Sequence, residues 1–297
     1  MMRFRNSVVI AATVMAVLVS SPLVLGAEDE DVKIGWHHDG EFGVAVTSGN
    51  SNTASINLGY KLRRFWERSL FSFKFGGVRN STDDDRFAVG DPGDFVVQRP
   101  TLELDSEILY LSADYNQKII DRFFWNAGAG WDRNTSAGIE SRTNVFGGVG
   151  NLWIDKEKMM WKTDYGLSWI DQQDEIPDPE TDDTYSALRL ASDFMVKLGK
   201  STTYDNDFVF FTNLGDLEDF NFRMVNGLGV SMTEILALKV GLTFLYDNVP
   251  ALEELDLFEL DEEGNLIPTD VKVVTPNEEL DTIFTVSLVI DIDPKSK

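Results

Sequence analysis

The stretch TASINLGYKLR, residues 53–63, decides the fold of this 297-residue chain. Its apolar side chains fall at every second position, and the positions between them are small or polar. Side chains of a β-strand alternate between the two faces of a sheet, whereas a helix would scatter these apolar residues around its circumference. The stretch is therefore predicted to be a β-strand with one apolar face.

The same alternation recurs at residues 71–76, 123–132, 161–169 and 236–247. A strand of a soluble sandwich usually has about five or six residues, whereas a strand that crosses an outer membrane needs about nine to eleven. Most of these runs match the longer figure. Their polar face is rich in glycine, serine, threonine and charges of both signs, which favours a hydrated lumen, although periodicity alone does not distinguish a soluble barrel.

We predict about twelve strands, an even number as in bacterial single-chain barrels. The predicted strands are residues 38–47, 53–65, 69–79, 104–117, 122–133, 141–152, 158–171, 185–198, 203–213, 220–232, 235–247 and 281–292. Connections on the side of the two chain ends are short, whereas residues 80–103, 172–184 and 248–280 make long connections on the far side. The predicted fold class is an all-β, antiparallel transmembrane β-barrel with periplasmic termini, short periplasmic turns and longer acidic outer loops.

The first segment is predicted to direct export. Arg3 and Arg5 precede an apolar run at 7–19 that is too short to span a bilayer as a helix, as in a secretory signal. We therefore divide the chain into a cleavable signal peptide (1–26), a short acidic segment (27–37), an outer-membrane barrel (38–292) and a polar extension (293–297). The expected location is the outer membrane of a Gram-negative type of cell.

Composition excludes several kinds of activity. Asp and Glu number 50 against 26 Lys and Arg, a net charge of −24, so most of the surface would repel a nucleic acid. The absence of cysteine excludes disulfides, thiol nucleophiles and Cys-ligated metals. The two histidines, His37 and His38, have no serine or acid beside them in a nucleophile arrangement. No catalytic residue, cofactor or metal ligand is predicted, and the protein is not expected to be an enzyme.

Charged residues on the polar faces of the strands are predicted to line the lumen. They are Lys61, Arg63, Lys74, Asp114, Asp132, Lys162, Asp164, Arg189, Asp193, Arg223 and Lys239. Their signs are mixed, and a lumen of neutralising pairs is more often packing than a conduction path. A structural role is favoured over permeation on this ground.

Aromatic residues are predicted to form two belts at the membrane interfaces. The belt residues are Trp66, Trp125, Trp153 and Trp161 near the short turns, and Trp131, Trp169 and Tyr246 near the long loops. Phe65, Phe123 and Phe124 are assigned to the first belt as well.

The long loops are strongly acidic, most densely at 253–263. Asp261 and the residues after it fail the calcium-loop template, because Gly264 is misplaced and Lys272 stands where the last Glu belongs. A solvated surface is the favoured interpretation. A second hypothesis is that divalent cations bridge these loops to lipopolysaccharide phosphates. The other expected partners are outer-membrane lipid and the barrel-insertion machinery, although the chain closes without the aromatic residue that this machinery commonly reads.

The segment GEFGVAVTSGNSNT, residues 40–53, resembles the N-terminal signature of the salt-induced outer-membrane proteins, catalogued as domain of unknown function 481. Residues 109–132, 141–152 and 233–250, with LKVGL at 238–242, extend the resemblance. It implies an outer-membrane barrel of unassigned activity, linked by name to salt or osmotic stress, and it supplies no catalytic residue.

The function predicted from sequence is a structural or narrow-permeation, porin-like role in the outer membrane. The alternative is a soluble periplasmic barrel that binds an apolar ligand. A third, less favoured alternative is an outer-membrane enzyme acting on lipid, which would require His37 or His38.

Overall fold

The computed structural model describes residues 34–47, 53–82, 87–91, 93–98, 104–179, 181–233, 236–261 and 266–291. These residues contain sixteen β-strands and a single turn of 3-10 helix at Thr135–Ala137. Numbered along the chain, the strands are β1 (Gly35–Thr47), β2 (Thr53–Phe65), β3 (Ser69–Thr82), β4 (Phe87–Asp91), β5 (Asp94–Gln98), β6 (Leu104–Ile120), β7 (Phe123–Asn134), β8 (Ile139–Lys156), β9 (Met159–Asp174), β10 (Thr184–Lys197), β11 (Thr202–Asn213), β12 (Phe220–Ser231), β13 (Leu236–Asp247), β14 (Leu252–Leu260), β15 (Leu266–Pro276) and β16 (Leu280–Asp291).

Twelve of these strands close into one antiparallel barrel, which confirms the predicted fold class and strand number. Strands that follow one another along the chain are neighbours in the barrel, except that β3 pairs with β6 and β13 with β16. The barrel closes where β1 meets β16, with Gly40 opposite Ile290. Both ends of the barrel chain lie beside the short turns that follow β2, β6, β8, β10 and β12. We call this end of the barrel the inner end, and the opposite end the outer end.

The strand boundaries differ from the predicted ones mainly where the pairing is irregular. Strand β8 extends to Lys156, although the alternation predicted an end at 152. Its pairing with β9 shifts register between Leu152 and Ile154. A bulge of this kind interrupts strict alternation, which is the signal on which the prediction relied.

The two faces of the barrel wall differ in polarity in the sense predicted. On β2 the side chains of Ile56 and Leu58 are 57% and 60% exposed on the outside, whereas Asn57 between them is buried. In a closed barrel only the interior can bury alternate side chains of one strand. An apolar exterior around a polar interior is the architecture of a transmembrane β-barrel.

A second, four-stranded sheet lies outside the barrel wall, in the order β15-β14-β4-β5. It joins the two longest outer connections, because β14 pairs in parallel with β4 and places Leu257 opposite Ala88. Leu255 and Val273 complete its small buried core with those two residues. The sequence pattern predicts loops for both connections, which the paired strands of this sheet correct. The alternating apolar residues of β14 were the available signal, and the acidic residues between them obscured it.

Some predictions concern residues outside the described part of the chain. The signal peptide at 1–26 and the extension at 293–297 are among them, as is most of the acidic segment at 27–37. Strand β1 begins at Gly35, before the predicted start at 38. Over the described residues, no helix is long and apolar enough to cross a membrane.

Candidate functional site: the charged interior of the barrel

The charged residues predicted to line the lumen share the strand faces of buried polar side chains such as Asn57, Ser72 and Asn126. They are Lys61, Arg63, Lys74, Asp114, Asp132, Lys162, Asp164, Arg189, Asp193, Arg223 and Lys239. Lys162 is 2% exposed and Asp164 is 5% exposed, so these charges are withdrawn from bulk solvent. A buried charge is tolerated only when it is paired or hydrogen-bonded, so the partners of each group determine what the interior can do.

One wall of the interior, built from β9 to β13, matches each of its cations with a carboxylate. We call it the paired wall. Its ion pairs are Lys162–Asp193 at 2.7 Å, Arg223–Asp207 at 2.8 Å, Lys239–Asp205 at 2.9 Å, and Arg189–Asp164. Asp193 also lies directly opposite Asp207 in the register of β10 and β11. Two of the pairs, Lys162–Asp193 and Arg223–Asp207, are therefore neighbours through their carboxylates.

Asp205 and Asp207 are the members of this network that the sequence analysis missed. They alternate with Tyr204, Asn206 and Phe208, so the period-two pattern of β11 marked them as interior residues. The same interior face also carries apolar side chains further along β11, and this mixture hid the pattern.

A glycine lies between the partners of the Lys239–Asp205 pair, which come from strands that are not neighbours. Lys239 on β13 reaches Asp205 on β11 across the strand between them, where Gly227 stands. A Cβ atom on Gly227 would lie 2.5 Å from both the Asp205 Oδ2 and the Lys239 Cε. Such a distance is far inside van der Waals contact, so a side chain at residue 227 would have to displace the Asp205 carboxylate or the end of Lys239.

Aromatic rings support two of the interior cations. The guanidinium carbon of Arg189 lies 4.3 Å from the ring centroid of Phe146. The Lys162 Nζ lies 5.9 Å from the ring centroid of Phe124. Cation–π contacts are stronger when the cation is desolvated, so these rings help to hold the paired wall in place.

A second wall, built from β1, β2 and β3, is arranged differently, and we call it the lysine wall. Lys61 on β2 lies directly opposite Lys74 on β3. The acid next to them, Asp39 on β1, forms an ion pair with Arg63 at 2.6 Å. Cations on this wall are therefore neighbours of one another.

The two ends of the barrel interior also differ from each other. At the outer end Arg142 donates to both carboxylate oxygens of Asp132, at 3.3 Å and 2.9 Å. At the inner end, buried apolar side chains form a partial floor, which consists of Phe65, Leu70, Phe124, Leu152, Met160 and Met195. Phe65 and Phe124 therefore lie inside the barrel, not in the aromatic belt to which they were assigned.

The floor covers only part of the inner end. Its residues come from β2, β3 and β7 to β10, whereas β12 and β13 carry Gly229 and Ala237 at the same end. A Cβ atom on Gly229 would have a single neighbour within 4 Å, the backbone oxygen of Thr203 at 3.9 Å. Space therefore remains beside Gly229 that a larger side chain could fill.

Of the seven predicted belt residues, six lie toward the ends of their strands, and Trp66 lies in the turn after β2. Trp153 and Trp161 contact each other near the short turns, with ring centroids 6.1 Å apart. Trp66 and Trp125 lie at the same inner end and are exposed. The other three residues, Trp131, Trp169 and Tyr246, lie on the outer halves of β7, β9 and β13.

The two histidines stand at the beginning of β1. The His37 ring packs edge-on against Phe65, and the His38 Nδ1 lies 2.5 Å from the Tyr60 hydroxyl. Neither contact places a nucleophile next to an orienting acid, which an activated triad would require.

Cation binding at the acidic outer connections is a prediction from the sequence. In the part of the chain that the structure describes, no group of three or more His, Asp or Glu side chains is placed to hold a metal ion. Burial raises the pKa of Asp219, between β11 and β12, and Asp216 raises it further, against the lowering effect of a 2.9 Å hydrogen bond from Asn213.

Taken together, the closed apolar exterior and the charged interior define a transmembrane β-barrel. The family model described as "Protein of unknown function, DUF481" matches residues 40–257, which is more than half of the chain. The protein therefore belongs to the DUF481 family. No curated protein matches its sequence.

Solved structures similar to this chain have very different sequences. The NanC porin has a TM-score of 0.44 and 9% identity, over 86% of this chain and 98% of that one. The KdgM porin in complex with disordered oligogalacturonate has a TM-score of 0.40 and 8% identity, over 87% and 99%. OmpT, an outer-membrane protein of Vibrio cholerae, has a TM-score of 0.36 and 9% identity, over 86% and 96%.

Proposed function

We propose that this protein is an outer-membrane barrel that lets small polar solutes pass through a narrow lumen, and that it is not an enzyme. The proposal rests on one observation: charged side chains inside the closed barrel remain accessible to solvent. The side chain of Arg223 is 28% exposed although its strand lies in the barrel, so water-sized space adjoins the paired wall. A barrel filled only for stability would be expected to use apolar packing there, because buried ion pairs seldom add net stability.

The outer-membrane location is supported by the exterior. Ile56, Leu58 and Leu167 are among many exposed apolar side chains on the barrel strands. Soluble monomers rarely expose continuous apolar patches larger than a few hundred Å². We expect the protein to require detergent for extraction from outer-membrane fractions. Release by osmotic shock, with monodisperse behaviour in plain buffer, would instead support the soluble periplasmic barrel that binds an apolar ligand.

Single-channel recording tests permeation. The refolded chain is expected to produce steady conductance steps in a planar bilayer. Gly229→Trp should reduce the step size, because the indole would fill the open space at the inner end. The matched control is Leu228→Trp, which adds the same ring to the exposed outer face of the same strand. Equal conductance in the two variants would contradict the position of the passage.

A structural barrel without permeation is the second candidate. The partial floor at the inner end favours it, since Leu70 and Met160 are almost completely buried there. Silence of the refolded wild-type chain in planar bilayers, with native β-structure shown by circular dichroism, would select this candidate.

The finer parts of the proposal concern stress and partners. We infer a link to salt or osmotic stress from the resemblance of residues 40–53 to the salt-induced family. A deletion strain is expected to grow less well than the parent after a salt upshift.

Divalent cations are proposed to bridge the acidic outer connections to lipid phosphates. Chelation should then lower the thermal stability of the barrel in outer-membrane vesicles, and an unchanged melting temperature would refute the bridge.

A further inference from the structure

The seam where β1 meets β16 is paired over only part of its length. Among the described residues its register comprises four pairs, and the outermost of them places Phe42 opposite Leu288. Beyond that pair both strands continue toward the outer end. Strand β1 stays paired with β2 as far as Thr47, and β16 is paired with β13 from Leu280 onward. Within the described structure, residues 43–47 therefore have a partner strand on one side and none on the side of β16.

The two unpaired edges lie in the outer half of the wall. We call them the open seam, which consists of residues 43–47 of β1 and 280–287 of β16. Five residues of a strand rise about 17 Å, which is more than half of the roughly 30 Å of hydrocarbon in a bilayer. Open sheet edges do not occur in hydrocarbon unless they line a polar space, because alkyl chains form no hydrogen bonds with N–H and C=O groups. The open seam therefore has to contact something polar.

A buried polar side chain without a partner lies beside the open seam. Asn57 on β2 stands opposite Gly43, and a Cβ atom on Gly43 would lie 3.1 Å from the Asn57 Cγ. Asn57 is 8% exposed, and its Oδ1 accepts no hydrogen bond within the described structure. Buried polar groups are normally paired, so this oxygen indicates a missing donor.

Negative charge lies close to the same place. Glu41 precedes Gly43 by two residues on β1, so the two residues share one face of the strand. In the part of the chain that the structure describes, Glu41 forms no ion pair. A group that meets both an amide oxygen and a carboxylate is favoured if it donates hydrogen bonds and carries positive charge, as a primary ammonium does.

The outer surface beside the open seam is apolar. Phe42, Phe284, Val286 and Leu288 are all exposed there. An alkyl chain could contact these side chains while a polar head enters between the strands. Hydrogen-bond acceptors inside and apolar side chains outside are the two chemistries that an amphipathic molecule requires.

We propose that the open seam is a lateral binding site for amphipathic molecules with an ammonium head. The head lies against Asn57 and Glu41, and the apolar tail remains in the lipid beside β16. This site goes beyond the passage of small polar solutes proposed above and does not depend on it, because the molecule enters through the wall.

Disulfide formation tests whether the seam is open. The chain contains no cysteine, so a disulfide can join only introduced residues. Phe42→Cys with Leu288→Cys is the control, because these residues are paired. Val44→Cys with Val286→Cys lies two residues further out, where a continued register would set the two cysteines opposite each other. The control should oxidise within one chain and the outer pair should not, since a disulfide needs Cα atoms within about 7 Å.

Two results of this experiment overturn the proposal. Equal oxidation of the inner and outer pairs would show that the strands remain paired to the outer end. Disulfides between chains, formed only by the outer pair, would show that a second copy of the protein occupies the open seam.

Fluorescence quenching in phosphatidylcholine nanodiscs tests the occupant. A bimane label is attached at Phe284→Cys beside the open seam, or at Leu167→Cys on the exposed outer face of β9. The probes are a long-chain primary amine with a nitroxide on its tail and its trimethylammonium analogue, which has the same charge but no N–H donor. The amine should quench the label at 284 more than the analogue does, whereas the two probes should quench the label at 167 equally. Equal quenching by the two probes at 284 overturns the site.

Replacing the unpaired amide tests the position of the head. Asn57→Ala should weaken binding of the amine about fivefold, the effect of one net hydrogen bond. Asn126→Ala is the matched control, because Asn126 on β7 is also buried and its Oδ1 also lacks a partner among the described residues. Amine binding should persist in this control. Equal loss in both variants overturns the assignment of the head to Asn57, and it leaves conductance through the lumen as a separate question.

Discussion

The paired wall and the lysine wall face the same lumen but treat buried charge differently. On the paired wall, the Lys239 side chain extends over the neighbouring strand β12 to reach Asp205. Gly227 on β12 leaves space for this contact. On the lysine wall, Lys61 and Lys74 are adjacent although acids stand nearby. The comparison shows two ways of placing charge inside one barrel: cations beside carboxylates on the paired wall, and a cation beside a cation on the lysine wall.

Removing one member of a buried pair on the paired wall should have the largest effect. Asp205→Ala would leave Lys239 buried without a partner, and breaking a buried pair in this way costs about 3–5 kcal/mol. The measurement is urea unfolding of the protein refolded in lipid vesicles. Glu254→Ala is the control, since its pair with Lys272 is largely exposed, and it should cost less than about 1 kcal/mol. Equal losses in both variants would mean that the paired wall is not a distinct structural element.

A charge on the outer face should be costly in lipid. Leu58→Arg is expected to destabilise the barrel by up to about 2–4 kcal/mol, the cost of arginine near the middle of a bilayer. Its effect should shrink when the same protein is refolded in short-chain detergent micelles, where the side chain can reach water. A cost that does not depend on the amphiphile would contradict a lipid-facing position.

Two glycines on the same face of β12 provide an internal comparison. Gly227→Ala should destabilise the barrel by about 1–3 kcal/mol, the typical cost of overpacking, because the new methyl group would meet the Asp205–Lys239 pair. Gly229→Ala has open space and serves as the matched control. Thermal melting of both variants measures the difference in their stability. Similar melting temperatures would show that the Asp205–Lys239 pair does not need the space that Gly227 leaves.

The smallest expected change in the free energy of unfolding is a stabilisation, whereas the changes above are destabilisations. Lys74→Gln removes one of two opposed cations and is expected to stabilise the barrel by about 0.2–1 kcal/mol. Lys239→Gln, which removes the same charge from the paired wall, should destabilise it. Unfolding in urea compares them. Destabilisation by both substitutions would remove the distinction between the two walls.

Much of the barrel could be predicted because β-strands alternate locally. Residues 53–65 were predicted as a strand with the bounds that the structure shows, since every second side chain there is apolar. The outer sheet was missed because β4 and β14 pair across two distant connections, which no local period reveals. Phe124 was misassigned because it follows Phe123 and precedes Trp125, and only closure of the barrel shows that its ring points inside.

The amino-acid sequence by itself determined the strand number and the two faces of the wall. These properties follow from alternation, which depends only on neighbouring residues. Which charges meet was decided by the tertiary structure, because pairing register places Lys74 opposite Lys61 and brings Lys239 to Asp205. Register depends on turns, bulges and closure of the whole barrel, so the difference between the two walls exists only in the folded chain.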